Sequence, residues 1–329
     1  TLDTSILNDA PVLLTTGASV LSGGSGNAFT TVNFPIINED TPGNGSTVDS
    51  FLNEDSASDL ENFLDGGVRG VAITFTDNTN GNWQFSVNGG SNWTNFAATA
   101  SSSLLLDGSI SGHRVRFNPA QDFFGTAAIK YRAWDKTSGS VTDTPPTTSN
   151  GGNTPFSLGE VTKSITIRSV NDVPITTFST PPAVNEDAGQ QTVSGFATTT
   201  SGATQLEGSQ TFTYTVTRAS GTSGLFSSGP AIDANGTLTY TPLANANGST
   251  VFNVTVQDSG GTANGGDNSR TYTNQLTLTV NSVNDAPVLV DQERDFALNE
   301  DGGTAGTAIS AFLAAGSVTE VNDNVTPGT

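Results

Sequence analysis

Two short acidic strings recur in this chain in a fixed order, and that recurrence constrains the fold more than any other feature. Leu7-Asn8-Asp9-Ala10-Pro11-Val12-Leu13 returns as Ser169-Val170-Asn171-Asp172-Val173-Pro174 and again as Ser282-Val283-Asn284-Asp285-Ala286-Pro287-Val288-Leu289. Behind each copy lies a second string: Ile37-Asn38-Glu39-Asp40, Val184-Asn185-Glu186-Asp187 and Leu298-Asn299-Glu300-Asp301. Linked motifs repeating in register are the mark of a tandem array. From Asn8 to Asn171 is 163 residues, and from Asn171 to Asn284 is 113. The shorter spacing is the size of one β-sandwich, about 100 residues. The longer one holds insertions, a Trp-rich segment (77–96) and a Pro/Gly/Ser/Thr-rich loop (136–156). After Asp285 only 44 residues follow, fewer than a sandwich of about 100 needs. The expected division is 1–8 as the end of a preceding repeat or linker, 9–172 as repeat 1, 173–285 as repeat 2 and 286–329 as the start of an incomplete repeat 3. The missing strands of that last piece would come from further sequence or from another chain, and in the second case strand exchange would build a filament.

Local patterning is β throughout. Phe212, Tyr214 and Val216 alternate with threonine, as do Phe252, Val254 and Val256, and Leu276, Leu278 and Val280. Val115/Phe117, Ile129/Tyr131 and Ile165/Ile167 repeat the pattern upstream. A period of two puts one face of each strand in a core and the other in water, as in antiparallel sheets packed face to face. Trp83, Phe85 and Val87 followed by Asn88-Gly89 and Trp93 predict a hairpin with a primed turn. One short helix is expected over 58–66, with Ser58 and Glu61 as a capping box.

Composition removes most chemistries. The chain has no Cys, no Met and a single His, His113, so disulfides, thiolate zinc sites, cysteine nucleophiles and multi-histidine metal sites are unavailable. No nucleophile–base constellation assembles from what remains, so an enzyme is not expected. Thirty-one acidic residues against 11 basic ones give a net charge of −20, which repels nucleic acid and anionic membrane. No run of about 18 apolar residues occurs, so no membrane-spanning helix is expected. The sequence starts at Thr1 without the basic and apolar regions of a signal peptide, and is expected to be a processed product or a window from something longer.

The Asn-Asp-x-Pro strings supply the remaining chemistry. Proline fixes φ and biases the residue before it to extended geometry, which stiffens a connection. Asn and Asp beside it are hard oxygen donors, and calcium takes six to eight such oxygens at about 2.3–2.6 Å. Carboxylates converging on one point repel unless a cation lies among them. The plainer reading, that Asn-Asp-Ala-Pro is a good turn with solvated acids, accounts for one copy better than for three paired with Asn-Glu-Asp.

These residues resemble cadherin-type repeats, specifically the cadherin-like domains of giant bacterial surface adhesins. The resemblance rests on Val283-Asn284-Asp285-Ala286-Pro287, on Asn299-Glu300-Asp301 followed by Gly306-Thr307, on Ile232-Asp233-Ala234-Asn235-Gly236-Thr237-Leu238 and on Val254-Thr255-Val256-Gln257-Asp258-Ser259-Gly260-Gly261. Phe117-Asn118-Pro119-Ala120-Gln121-Asp122-Phe123-Phe124-Gly125-Thr126 and Tyr131-Arg132-Ala133-Trp134-Asp135 look like the bacterial subgroup with the inserted Trp hairpin. It implies tandem Ig-like/cadherin-like Greek-key β-sandwiches on a cell surface or secreted, rigidified by Ca2+, with neighbouring repeats, copies of the chain, or a surface glycan or protein receptor as partners. For the junction of repeats 1 and 2 it implies Glu39, Asp122, Asn171, Asp172 and Asp258, with Glu207, as calcium ligands. For the next junction it implies Glu186, Asn284 and Asp285, with Glu320 or Asp323; Asn8, Asp9 and Asp135 would be half of an upstream junction. The chain departs from the family in its shorter Val-Asn-Asp linker and in Leu243-Ala244-Asn245-Ala246-Asn247-Gly248, which carries no carboxylate. Fewer ions per junction than the three of animal cadherins, and a weaker second junction, are therefore implied.

Two other features compete. Trp83 and Trp93 could stack on a sugar ring, making the chain a carbohydrate-binding module; a cross-strand aromatic pair over the edge of a small core is the simpler expectation. His113 precedes the alternating Arg114-Val115-Arg116-Phe117 and is expected to be an exposed strand-start residue.

Overall fold

The computed structural model describes residues 8–13, 33–51, 57–58, 69–202, 209–286, 288–289 and 318–319. The chain splits into two compact units: unit 1 takes residues 1–170 with 203–206 and 263–265, and unit 2 takes 171–202, 207–262 and 266–329. Both are β-sandwiches.

Unit 1 contains β1 (Val12–Leu13), β2 (Ile37–Asn38), β3 (Ser46–Thr47), β4 (Ala57–Ser58), β5 (Gly70–Thr76), β6 (Gly81–Ser86), β7 (Thr94–Asn95), β8 (Leu104–Asp107), β9 (Arg114–Pro119), β10 (Gly125–Trp134) and β11 (Val161–Arg168). One sheet has the order β2-β11-β10-β5-β8 and the other β3-β9-β6-β7, with β1 paired to β4. Alternation decides which side chains meet between them. Ile129 and Tyr131 of β10 and Ile165 and Ile167 of β11 share one core with Trp83, Val115 and Phe117 of the second sheet. The first sheet is also covered on its outer face, where Ala72, Leu105, Trp134 and Phe156 form a separate cluster. The 136–156 insertion provides that cover: Trp134 donates its indole N–H to Ser138 O (2.8 Å). The same insertion seals the free edge of β8, since Ser103 and Leu105 donate to Pro145 O and Asp143 O and Thr142 donates back to Leu105 O.

Unit 2 contains β12 (Ile175–Phe178), β13 (Val184–Asn185), β14 (Gln191–Val193), β15 (Ala197–Thr200), β16 (Phe212–Gly221), β17 (Phe226–Ile232), β18 (Leu238–Pro242), β19 (Gly248–Asp258) and β20 (Ser269–Asn281). Its sheets run β13-β20-β19-β16 and β14-β18-β17, with β12 paired to β15. Phe252, Val254, Val256, Leu276 and Leu278 meet Ile232, Leu238 and Tyr240 in the core. Between β17 and β18 the Asp233 carboxylate accepts the N–H groups of Asn235 and Thr237, and Gly236 takes the left-handed φ of 79° the turn requires. Beyond residue 286 the described residues are β21 (Val288–Leu289) and β22 (Val318–Thr319), paired antiparallel; the strand-exchange idea for 286–329 otherwise lies outside the described residues.

Three local expectations change. The hairpin after β6 has no two-residue turn: Phe85 pairs with Thr94, so 87–93 is a wider loop in which Asn88 Oδ1 accepts Asn92 N–H. Ser58 lies in β4 rather than capping a helix, and 59–66 fall outside the described residues. His113 is buried, 3% exposed, and its Nδ1 accepts the Asp107 N–H at 3.1 Å, a ring contact that periodicity does not report.

The core of unit 1 also encloses a lysine. Lys163 lies in the inward row of β11 between Val161 and Ile165, and its Nζ donates to Ser50 O at 3.2 Å and sits 5.2 Å from the centre of the Phe34 ring. Burial pushes its ammonium down from the ordinary 10.5 to about 8, and pushes the Tyr131 hydroxyl up from 10.0 to about 12. Between these lysine values the unfolded chain binds more protons, so stability rises with pH; between the tyrosine values the folded chain binds more, so stability falls. Unit 1 is expected to melt highest at about pH 10, and Lys163→Met to remove the rise, as read from melting curves at stepped pH.

Candidate metal centre

The acidic strings take the same places in the two units. In unit 1, β2 runs parallel to the last strand, with Ile37 beside Ile167 and Asn38 beside Arg168. In unit 2, β13 runs parallel to β20, with Val184 beside Val280 and Asn185 beside Asn281. The next residue in each case is the buried glutamate, and Glu39 and Glu186 are both 2% exposed. Their backbone N–H groups donate to Arg168 O and Asn281 O, at 3.0 Å in both units. Glu39 Oε1 accepts the Val170 N–H at 2.6 Å, and Glu186 Oε1 accepts the Val283 N–H at 2.7 Å. Each glutamate thus holds the residue just before the outgoing Asn-Asp pair.

Left-handed backbone follows at both glutamates, with φ of 57° at Asp40 and 63° at Asp187. Asp and Asn tolerate that region better than other side chains with a Cβ. Asp40 Oδ1 accepts the Asp122 N–H at 2.7 Å, and carboxylate oxygens of the two lie within 4.8 Å of each other. Asp122 is 2% exposed and itself left-handed, φ 55°, in the turn between β9 and β10. The corresponding turn of unit 2 places Asn245 at φ 59°. Phe123 N–H to Ala120 O in one turn matches Ala246 N–H to Leu243 O in the other. Asn245 therefore stands where Asp122 stands, with an amide in place of the carboxylate.

The incoming end of each unit has its own clasp. Asn171 Nδ2 donates to Asp258 Oδ1 (3.0 Å) and Asp267 O (2.8 Å), and its Oδ1 accepts Gln210 Nε2 (2.8 Å). In unit 1, Asn8 Nδ2 donates to Asp135 Oδ2 (3.0 Å), while Asp135 Oδ1 accepts the N–H and O–H of Thr137. Asp135 directly follows β10 and Asp258 is the last residue of β19, and both are 5% exposed. The linker asparagines are thus engaged through their amides, and the strand-end aspartates orient them.

Of the residues named from the sequence, Glu39 and Asp122 share the outgoing end of unit 1, Asn8 and Asp135 meet at its incoming end, and Asn171 meets Asp258 in unit 2. Glu186 holds Val283. Asn284 is exposed and donates to Asp285 O (3.2 Å). Asp9 is exposed, and Asp172 and Asp285 are half-buried. Glu207, Glu320 and Asp323 lie outside the described residues. Asp40, next to Glu39 in the same motif, joins the site beside Asp122; the sequence signal for it is the need for an Asx residue at a left-handed position. Two carboxylate oxygens, Glu186 Oε2 and Asp258 Oδ2, are buried without a hydrogen-bond partner.

The tryptophan platform does not form. Trp83 is fully buried, with ring centroids of Phe34 and Phe117 at 5.2 and 5.3 Å. It lies across from Phe117, not Trp93, so the expected cross-strand pair is absent as well. Trp93 is half-exposed and carries the Arg116 guanidinium 4.1 Å above its ring, which occupies one face.

Residues 226–281 match the family model described as bacterial Ig domain. No curated protein matches the chain. Among solved structures it is similar to mouse cadherin-23 EC22-24, with 17% identity, a TM-score of 0.43, and coverage of 86% of this chain and 71% of that one. It is also similar to protocadherin gammaB7 EC3-6, with 16% identity, a TM-score of 0.36, and coverage of 80% and 49%. A third likeness is to an endo-fucoidan hydrolase of glycoside hydrolase family 107, with 14% identity, a TM-score of 0.27, and coverage of 83% and 29%. The chain spans half or less of the last two. Both units are β-sandwiches, and the matched segment 226–281 of unit 2 is similar to a bacterial Ig domain.

Proposed function

We propose that this chain is a non-enzymatic structural or adhesive array of β-sandwich repeats working outside the cell, with calcium at the ends of its units stiffening the linkers. The observation that carries this reading is the pair of buried carboxylate oxygens left without partners, Glu186 Oε2 and Asp258 Oδ2. Burying a charged oxygen unpaired costs roughly 1–3 kcal/mol or more, and a hard divalent cation removes that cost. The donor set fits calcium: carboxylates, amide and backbone oxygens, and neither sulfur nor a histidine cluster. Glu39, Asp40 and Asp122 would hold an ion at the outgoing end of unit 1, Glu186, Asp187 and Asp285 at that of unit 2, and Asp172 and Asp258 at its incoming end. Bound calcium supplies positive charge and no redox or acid–base chemistry.

The residues themselves do the positioning. Val170 is bound by Glu39 and Asn171 by Asp258, so each of these residues is tied to its own unit before an ion arrives. The bacterial Ig match over 226–281 supports an extracellular setting, as does the strongly acidic composition, which disfavours nucleic-acid and membrane partners.

The test is calcium titration by calorimetry on the wild type and on Asn245→Asp. That change puts a carboxylate at the place of Asp122 without altering the turn, because both residues sit at the same φ. Calcium binding at the outgoing end of unit 2 is expected to tighten about tenfold, roughly 1.4 kcal/mol. Wild-type protein that takes up no calcium would refute the reading; an unchanged isotherm in Asn245→Asp would remove this turn from the ligand set.

A further inference from the structure

The two units treat equivalent sheet edges differently. In unit 1 the outer edge of β5 is covered by β8, antiparallel, with Val71 opposite Leu106 and Ile73 opposite Leu104, and β8 is sealed in turn by the 136–156 insertion. β16 holds the same place in unit 2, next to its β19 as β5 is next to β10, and it ends the sheet. Among the described residues no strand pairs with its outer edge. In the second sheet both edges are interrupted, β14 being three residues long and β17 containing Pro230 and two register irregularities, while on the far side of the first sheet β13 covers β20 only at Val280 and Asn281. β16 runs regularly from Phe212 to Arg218 with high β-propensity residues, no proline and no acidic side chain. Its inward row, Phe212, Tyr214 and Val216, is only half-buried, whereas Val254, Val256 and Leu276 on the neighbouring strands are fully buried.

We infer that the β16 edge is a self-association surface, on which the β16 of a second copy adds antiparallel about a two-fold axis at Thr215. Two arguments select a second copy. An antiparallel edge is complementary to itself in its backbone donors and acceptors, and the pairing sets the Tyr214–Val216 row beside its twin and threonine beside threonine. In a chain of net charge −20, this acid-free strand is also a place where two copies approach without carboxylate repulsion.

Sedimentation equilibrium of the full chain in EGTA tests this apart from any calcium effect. Wild-type mass is expected to rise toward the dimer with concentration. Thr215→Asp and Thr215→Lys each put like charges opposite each other and are expected to weaken association at least about tenfold. An equimolar mixture of the two is expected to regain it, because opposite charges then meet. Thr277→Asp, on the same solvent face but in β20, is expected to associate as wild type does, with circular dichroism checking each fold. A wild type that stays monomeric, variants that still associate, or a mixture that fails to recover would each overturn the inference.

Discussion

Stripping calcium from the protein with EGTA is expected to lower its melting temperature by roughly 5–10 °C. A ligand that binds only the folded state adds about 2.7 kcal/mol at a hundredfold excess over Kd, and about 1 kcal/mol moves the melting of a domain of this size by roughly 2–4 °C. The effect should be strongest in unit 2, where Glu186 Oε2 and Asp258 Oδ2 are both buried without partners. Glu186→Gln keeps a side-chain oxygen able to accept the Val283 N–H but removes the charge, so it should erase the calcium response of the outgoing end of unit 2 while costing little in its absence. Small-angle scattering with and without EGTA reads the mechanical side of the same change, as a broader distribution of maximum dimensions in the stripped protein. Coincident melting curves, with scattering unaltered, would refute the stiffening role.

Trp83→Ala is expected to cost unit 1 about 3–5 kcal/mol, the range for removing a large aromatic from a close-packed core. Trp83 is fully enclosed, against Phe34 and Phe117, and no neighbour can refill so large a space without leaving its rotamer. Trp93→Ala should cost about 1 kcal/mol or less, since that ring is half-exposed and its chief partner is the Arg116 guanidinium. Denaturant unfolding of the two variants separates the cases: Trp83→Ala should bring the unit 1 transition forward and leave that of unit 2 in place. A Trp83→Ala protein as stable as the wild type, or one that loses a measurable affinity for glycans without losing stability, would return this residue to the surface and revive the sugar-platform reading.

What the sequence determined alone was whatever depends on period and recurrence. Alternation at Phe212–Val216, Phe252–Val256 and Leu276–Val280 placed the inward rows, because a strand that buries one face must repeat every second residue. The recurring Asn-Glu-Asp and Asn-Asp strings marked equivalent ends, since the same backbone path asks for the same side chains. Tertiary structure decided what covers a strand once it is formed. Trp83 and Trp93 lie in one hairpin with similar local signals, yet one is core and the other surface, because only Trp83 faces the opposing sheet. His113 is buried with its ring bonded to the Asp107 N–H, and the outer face and edge of the unit 1 sheet are closed by the 136–156 insertion, whose polar composition gave no sign of it. Asn245 stands in the place of Asp122 through a shared left-handed backbone angle. Exposure is settled by contacts between residues far apart in the chain, and local pattern carries no record of which distant segment will arrive.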